Sequence, residues 1–424
     1  MGNFWRSVWR NPEIKQKLLF TLFILTVFRL LAHIPLPGVN LNAFRLLFAQ
    51  SEFLNLLNLF SGGALSNFSI IALGLNPYIN ASIVLQLLTM VIPSLERLSK
   101  EGKEGQRKIN QYTRILSVPL ALIQAIGMYF LLRNQGIIGE LSWPQLLLML
   151  TSLVSGSILL VWLGEQINLY GLGNGISILI FAGVLSGMTV SFVRTLLAQT
   201  GQSALHLLTF VLMVIGVIGG IIIINEAQRE IPIQYAQRGQ GRRGYGGLKT
   251  HLPLRLNQAG VMPIIFALSL LLLPSMLANF LTNLPWPFIT RSAQFLIELL
   301  NNQLIYGLFY FLLVVGFTYF YTAIQFNPHD VAENLQKQGG FIPGIRPGRA
   351  TVKFLNQVLS RITLVGAVFL GLVAILPLLT PRLTGVTTFQ LGGTGILIVV
   401  SVIIETAKQL ESMLVMRDYE GFLK

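Results

Sequence analysis

The sequence predicts an all-α polytopic membrane protein: ten transmembrane helices in two five-helix inverted-repeat halves, with both termini cytoplasmic. Three observations lead there. Of 424 residues, 53% are hydrophobic and only 11% charged, at a mean hydropathy of +0.67; a soluble domain carries about 25% charged residues. Apolar runs near the roughly 20 residues that span a bilayer recur along the chain. Cations gather on alternate connections between those runs.

The runs fall at about 18–34, 73–92, 115–132, 146–163, 176–192, 205–224, 259–277, 304–324, 362–379 and 391–404. The fifth is short and Gly-rich. The two tails and the connections after spans two, six and eight hold 23 of the 30 Lys and Arg. The five opposite connections hold one each, Arg45, Arg133, Arg194, Arg291 and Arg382. Cation-rich connections stay in the cytoplasm, which places both termini there, and an even span count agrees. The start of the chain is basic and amphipathic and leads into a long span, so no cleavable signal peptide is expected. Each half, 1–198 and 199–424, holds an odd number of spans, so the second enters the bilayer from the opposite side. That is the topology of an inverted repeat, with a binding or conduction site expected between the halves. Residue-level identity between the halves is not evident, and the repeat rests on topology.

The stretch 54–92 is apolar enough for a membrane yet interrupted by Gly62-Gly63, Ser66-Asn67, Gly74 and Asn76-Pro77. Irregular backbone at membrane depth survives only where protein buries it or a cavity solvates it. The segment therefore lines something, or it is a kinked helix with an outside loop.

Two cytoplasmic connections, 226–257 and 325–356, run about thirty residues each, and loops of that length are functional or disordered. In the first, the alternation Ile231, Ile233, Tyr235 favours a hairpin strand holding Arg242-Arg243 at its tip, against a solvated Gly/Arg linker. In the second, Gly339-Gly340, Pro343-Gly344 and Pro347-Gly348 suit a structured tip presenting Arg346.

Several chemistries are excluded. The chain has no cysteine, hence no disulfide, thiolate metal site or cysteine nucleophile. Its four histidines have no second ligand at metal spacing within a span, so no metal and no cofactor are expected. No phosphate-binding G-x-x-x-x-G-K-[ST] loop and no H-E-x-x-H motif occurs, and the chain is not expected to be an enzyme. The alternative to a passive conduit is an ion-coupled small-solute transporter with inverted repeats. Such a protein places ionisable groups near mid-membrane, whereas here only Arg29 and, near cytoplasmic ends, Arg361 and Glu405 lie within spans. Arg29 reads as a structural anchor that snorkels or pairs with backbone carbonyls, or as a substrate group. The basic face could meet anionic lipid, RNA or an acidic protein.

From about 12 to 422 the chain resembles the SecY family, the protein-conducting channel of bacterial and thylakoid membranes. The motifs are Ile34-Pro35-Leu36-Pro37-Gly38, Leu59-Phe60-Ser61-Gly62-Gly63, 77–88, Leu98-Ser99-Lys100-Glu101-Gly102, 170–183 (YGLGNGISILIFAG), 250–267 (THLPLRLNQAGVMPIIFA) and 327–348, with DVAENLQKQGGFIPGIRPG. Leu31, Asn76 and Asn80 depart from the family's usual residues. The resemblance implies a clamshell hinged between spans five and six. It implies a plug at 56–69, with Leu59, Phe60, Ser61, Gly62, Gly63 and Leu65, and a pore ring of Ile79, Ile83, Ile176, Ile180, Ile265 and Ile398. The pairs 79/83 and 176/180 each share a helix face. It further implies a lateral exit between spans two, three, seven and eight, where Gln86 and Asn257 are polar seam residues; helix capping or interhelical hydrogen bonding explains those two equally well. Arg242, Arg243 and Arg346 match docking positions for a motor ATPase resembling SecA or for a ribosome. Small membrane subunits resembling SecE and SecG are implied partners, with secretory and membrane-protein precursors as substrates. The expected location is the bacterial cytoplasmic (inner) membrane, ahead of the thylakoid.

Overall fold

The computed structural model describes residues 11–36, 61–134, 136, 138–139, 141–198, 204–235, 249–281, 287–384 and 393–422. Each of the ten apolar runs falls largely within a helix. In chain order these are α1 (Pro12–Leu31), α2 (Asn76–Val91), the short α3 (Pro93–Lys100), α4 (Lys103–Asn134), α5 (Trp143–Tyr170), α6 (Gly175–Ala198) and α7 (Ala204–Glu226). After the strands β1 (Gln228–Tyr235) and β2 (Lys249–Arg255) come α8 (Met262–Leu281), α9 (Pro287–Asn301), α10 (Gln303–Gln325) and α11 (Pro328–Lys337). The strand β3 (Gly340–Phe341), α12 (Arg349–Thr384) and α13 (Gly393–Phe422) complete the chain. Among the described helices, five are long and apolar enough to cross a bilayer alone, or six if α2 and α3, bent by 104° at their junction, count as one span.

Local chemistry sets the boundaries. Pro77 lies in the first turn of α2, where a missing N–H costs nothing. Ile92, extended at φ −98° and ψ 112°, ends α2 because it precedes Pro93. α5 opens with a capping box in which the Ser142 N–H donates to Gln145 Oε1 at 3.1 Å. α6 starts where Asn168 Oδ1 accepts from Gly175 N at 2.7 Å and Asn174 Oδ1 from Ile176 N at 3.2 Å. Those caps turn the short Gly-rich run of the sequence into a 24-residue helix. The amphipathic α9, in the connection between the seventh and eighth runs, was not anticipated. Its apolar residues are too scattered for a span but suit a helix lying along a surface.

The largest hydrophobic cluster draws on both halves: Ile24 and Phe28 of α1, Ile79 and Ile83 of α2, Leu160 of α5, Ile180 of α6, Ile265 of α8, Tyr310 of α10 and Ile398 of α13. A second cluster packs Leu65, Phe68 and Leu73 against Ala125 and Met128 of α4 and Leu153 of α5. Outward faces stay apolar, as at Phe23, Leu212 and Ile223, which suits lipid rather than water.

The two long connections form one platform. β1 pairs antiparallel with β2, Ile231 opposite Leu252, and with β3, Tyr235 opposite Gly340, in the order β2-β1-β3. Ile231 is buried with Leu254, Ile342 and with Leu355 and Val358 of α12. The expected hairpin is present, and the second connection adds a third strand that no local pattern marked.

Candidate functional site

The interrupted stretch is a chain of turns over 61–75, not a helix. Three conformations that glycine adopts freely, at Gly62 (φ 67°), Gly63 (φ 83°) and Gly74 (φ 61°), fold it back on itself. Phe68, at φ 43°, takes the same left-handed region with its ring fully buried. The segment is stitched to the end of α1. The Leu36 N–H donates to Phe68 O at 2.9 Å, and the Ile70 N–H donates to Ile34 O at 3.1 Å. Ser157 Oγ of α5 donates to Gly74 O at 3.0 Å. Arg29 of α1 donates from Nη1 to Gly62 O at 2.7 Å and from Nη2 to Ser186 Oγ of α6. The backbone that could not face lipid is thus satisfied by protein, and Arg29 pairs with a backbone carbonyl as one of its readings required.

Of the residues assigned to a plug, Ser61, Gly62 and Leu65 are buried. Gly63 is half-buried, and Leu59 and Phe60 lie outside the described residues. Ala64 and Ile71 of this segment share the main cluster with the isoleucines of the expected ring. Ile79, Ile83, Ile180, Ile265 and Ile398 are buried members of that cluster, and Ile176 packs against it half-buried. Four helices of both halves, α2, α6, α8 and α13, therefore bring these six side chains into one apolar region. Asn80, next to Ile79, is 2% exposed, and neither of its amide atoms has a hydrogen-bond partner among the described residues.

The two polar seam residues are placed differently from each other. Gln86 Nε2 donates to Ser82 Oγ one turn back at 3.5 Å, and its buried Oε1 has no partner among the described residues. Asn257 Nδ2 donates to Asn225 Oδ1 of α7 at 2.8 Å, and Asn225 Nδ2 donates to Ser401 Oγ of α13 at 2.7 Å. Asn257 thus takes part in the interhelical hydrogen bonding that was one of its readings. These groups, with Asn174, Ser177, Gln258 and Glu405, line a polar cavity of about 380 Å³. α8 packs on α2 and on α4, so helices of the two halves meet along the expected seam.

Arg346 is exposed beside the turn closed by Gly344 (φ 81°) and Gly348 (φ 97°), and its carbonyl accepts from Thr351 Oγ1 at 3.0 Å. Arg242 and Arg243 lie outside the described residues. On α3, in the connection after the second run, a hydrogen bond from Lys100, and then its charge, holds the Glu96 carboxyl below the ordinary glutamate range. Lys337 does the same for Glu333. Such a contribution is present above the ordinary glutamate range and is lost as pH falls through the depressed value. Both pairs are exposed, so each contributes little to stability.

With this geometry in hand, comparison with known proteins is direct. The sequence signature of the family described as SecY matches residues 69–407. A relative called protein translocase subunit SecY from Thermus thermophilus is 45% identical, covering 99% of this chain and 97% of its own. The proteins of that name from Bacillus subtilis and Aquifex aeolicus are 43% and 40% identical over 98% and 100% of each chain. Among solved structures, one described as a protein conducting channel superposes at a TM-score of 0.66 with 19% identity, covering 94% of this chain and 92% of its own. One of Sec61 in a canine ribosome-channel complex superposes at 0.62, also with 19% identity and the same coverage. The ion-coupled transporter finds no support among these relatives. A family signature covering most of the chain, and relatives above 40% identity along its whole length, show that this chain belongs to the SecY family.

Proposed function

We propose that this chain is the central pore subunit of a membrane protein translocase, conducting unfolded polypeptides across the membrane and releasing hydrophobic segments sideways into lipid. One observation carries the reading. Six isoleucines from four helices of both halves gather in one apolar region, and an irregular segment is packed into the same cluster. A collar of branched apolar side chains excludes water and ions by dewetting, and it flexes around an extended chain without offering a binding site. The segment 56–69 is the plug that fills the collar at rest.

The seam between α2, α4 and α8, continued by α10, supports a lateral exit, with Gln86 and Asn257 as its polar residues. A segment rich in Leu, Ile, Phe and Val gains roughly 0.3–0.6 kcal/mol per residue on entering lipid, while Arg, Lys or Asp costs about 2.5–3.5 kcal/mol. A channel that offers both environments lets the substrate's own sequence sort it.

With no phosphate-binding loop in the chain, the force comes from outside. A motor ATPase resembling SecA or a translating ribosome docks on the platform of 226–257 and 325–356, through Arg242, Arg243 and Arg346. The solved relative in a ribosome complex supports the ribosome. Subunits resembling SecE and SecG brace the two halves. The bacterial relatives support the cytoplasmic membrane, and the gathering of cations on alternate connections supports ten spans with both termini inside.

The chain lacks native cysteine, so single cysteines report cleanly. A stalled secretory precursor is expected to crosslink to Ile83→Cys and Ile265→Cys, and not to a lipid-facing Phe23→Cys. Equal labelling of all three positions would refute conduction through this region. Saturable uptake of a small solute by liposomes without motor or ribosome would instead favour a transporter.

A further inference from the structure

We propose that Arg29 is the latch of the plug: its guanidinium fork holds the segment in place by binding the Gly62 carbonyl while anchored on α6. This rests on the reading of 56–69 as a plug.

One side chain joins three parts of the molecule. Arg29 belongs to α1, its Nη1 donates to Gly62 O at 2.7 Å, and its Nη2 donates to Ser186 Oγ. A planar fork with donors in fixed directions can hold two acceptors at once, which a lysine ammonium does less well. Gly62 is shaped for the contact. It is buried at φ +67°, and a Cβ there would stand 2.7 Å from the Gly183 backbone of α6 and 3.3 Å from the Phe28 ring. The missing side chain lets the segment's backbone come close enough to α1 and α6 for the guanidinium to reach its carbonyl.

The choice of acceptors fits a contact that opens and closes. An ionisable residue inside a membrane usually pairs with an opposite charge or with backbone carbonyls. Among the described residues no carboxylate lies within ion-pair distance of Arg29, and both of its acceptors are neutral. Charge-assisted hydrogen bonds of this kind are stronger than neutral ones, yet they lack the attraction of a full counter-charge in a low dielectric. Water, or a backbone carbonyl of an entering polypeptide, is an acceptor of the same class as Gly62 O. The charge therefore stays satisfied when the segment leaves. The hydrogen bond at Phe68, with those at Ile70 and Gly74 just beyond, fixes the far end of the segment, and Arg29 holds its middle at Gly62.

The test is resting ion conductance of the full chain, assembled with its membrane subunits in planar bilayers, set beside motor-driven transport of a precursor. Arg29→Gln is expected to raise the resting leak about tenfold, equivalent to ~1.4 kcal/mol, with transport retained. Arg29→Lys falls between the two, because a single ammonium does not fork. Ser186→Ala removes one acceptor only and raises the leak by about threefold, as the loss of one modest hydrogen bond would. A purely structural arginine would instead lose transport along with the seal, and that result overturns the latch. So does a wild-type seal in Arg29→Gln. If Arg29→Gln does not accumulate in the membrane, Ser186→Ala decides, and an unchanged leak overturns the latch. Deletion of 56–69 separates the two readings. If the deletion leaks while both point variants seal, the latch is wrong and the plug stands; if the deletion itself seals, the plug reading is wrong.

Discussion

Gly156 on α5 faces the carbonyl of Ile70, and a Cβ there would stand 2.1 Å from that oxygen. The close approach lets Ser157, one residue on, reach Gly74 O. Gly156→Ala should therefore lower stability by about 1–3 kcal/mol, the usual cost of overpacking, and loosen 70–74. Thermal unfolding in detergent should show a lower midpoint; an unchanged midpoint would mean that α5 moves aside freely. Gly156 was not legible in advance, since Ser155-Gly156-Ser157 inside an apolar run reads as an ordinary small-residue patch. Gly62, Gly74 and Asn76-Pro77 were legible, because they break a pattern where they stand. Arg29 was half legible. Its position in a span marked it as unusual, but its partners lie 33 and 157 residues away.

Among the elements, the platform shows how far a local pattern reaches. Alternation at Ile231, Ile233 and Tyr235 foretold β1, because one face of the strand had to find apolar cover. What covers it was not foretold: Leu355 and Val358 belong to α12, more than a hundred residues on. The pairing of Tyr235 with Gly340 is equally remote, and there a Cβ would meet the tyrosine ring at 2.9 Å. Ile231→Ala should cost about 2–5 kcal/mol, drawn from the platform and not from the helices in the membrane. Amide exchange in β1 and β2 should quicken while α5 and α10 stay protected, and partner-driven transport should weaken. Equal quickening throughout would show that platform and bundle unfold as one unit. The bend between α2 and α3 was written into Pro93, whereas the 24 residues of α6 depended on caps from Asn168 and Asn174.

Across the whole molecule, polar and apolar contacts divide the labour between the halves. The ion pairs that join helices among the described residues stay within a half: Arg114 with Glu165 at 3.1 Å, and Lys408 with Glu226 at 2.8 Å. The contacts of α8 with α2 and α4 cross between halves, and Ile79 and Ile83 of α2 share one apolar cluster with Ile265 of α8. In lipid such an interface has no hydrophobic driving force behind it, so it can part and reclose while each half stays intact. The charge distribution makes the topology testable. A membrane-impermeant thiol reagent added outside should label Ser142→Cys and spare Ser99→Cys. The reverse pattern would invert the orientation, and labelling of both would mean that the span count is wrong.

The sequence by itself determined the membrane class, the apolar runs, the broken stretch and the side on which cations gather. Each depends on composition or on neighbours within a few residues, where backbone satisfaction and solvation act locally. Only the tertiary structure decided which acceptors Arg29 holds, that Asn257 pairs with Asn225, and that the two long connections share one sheet. It also decided that isoleucines from residue 79 to residue 398 meet in one region. Those contacts join residues far apart in the chain, and their geometry is set by how helices pack, which no local pattern encodes.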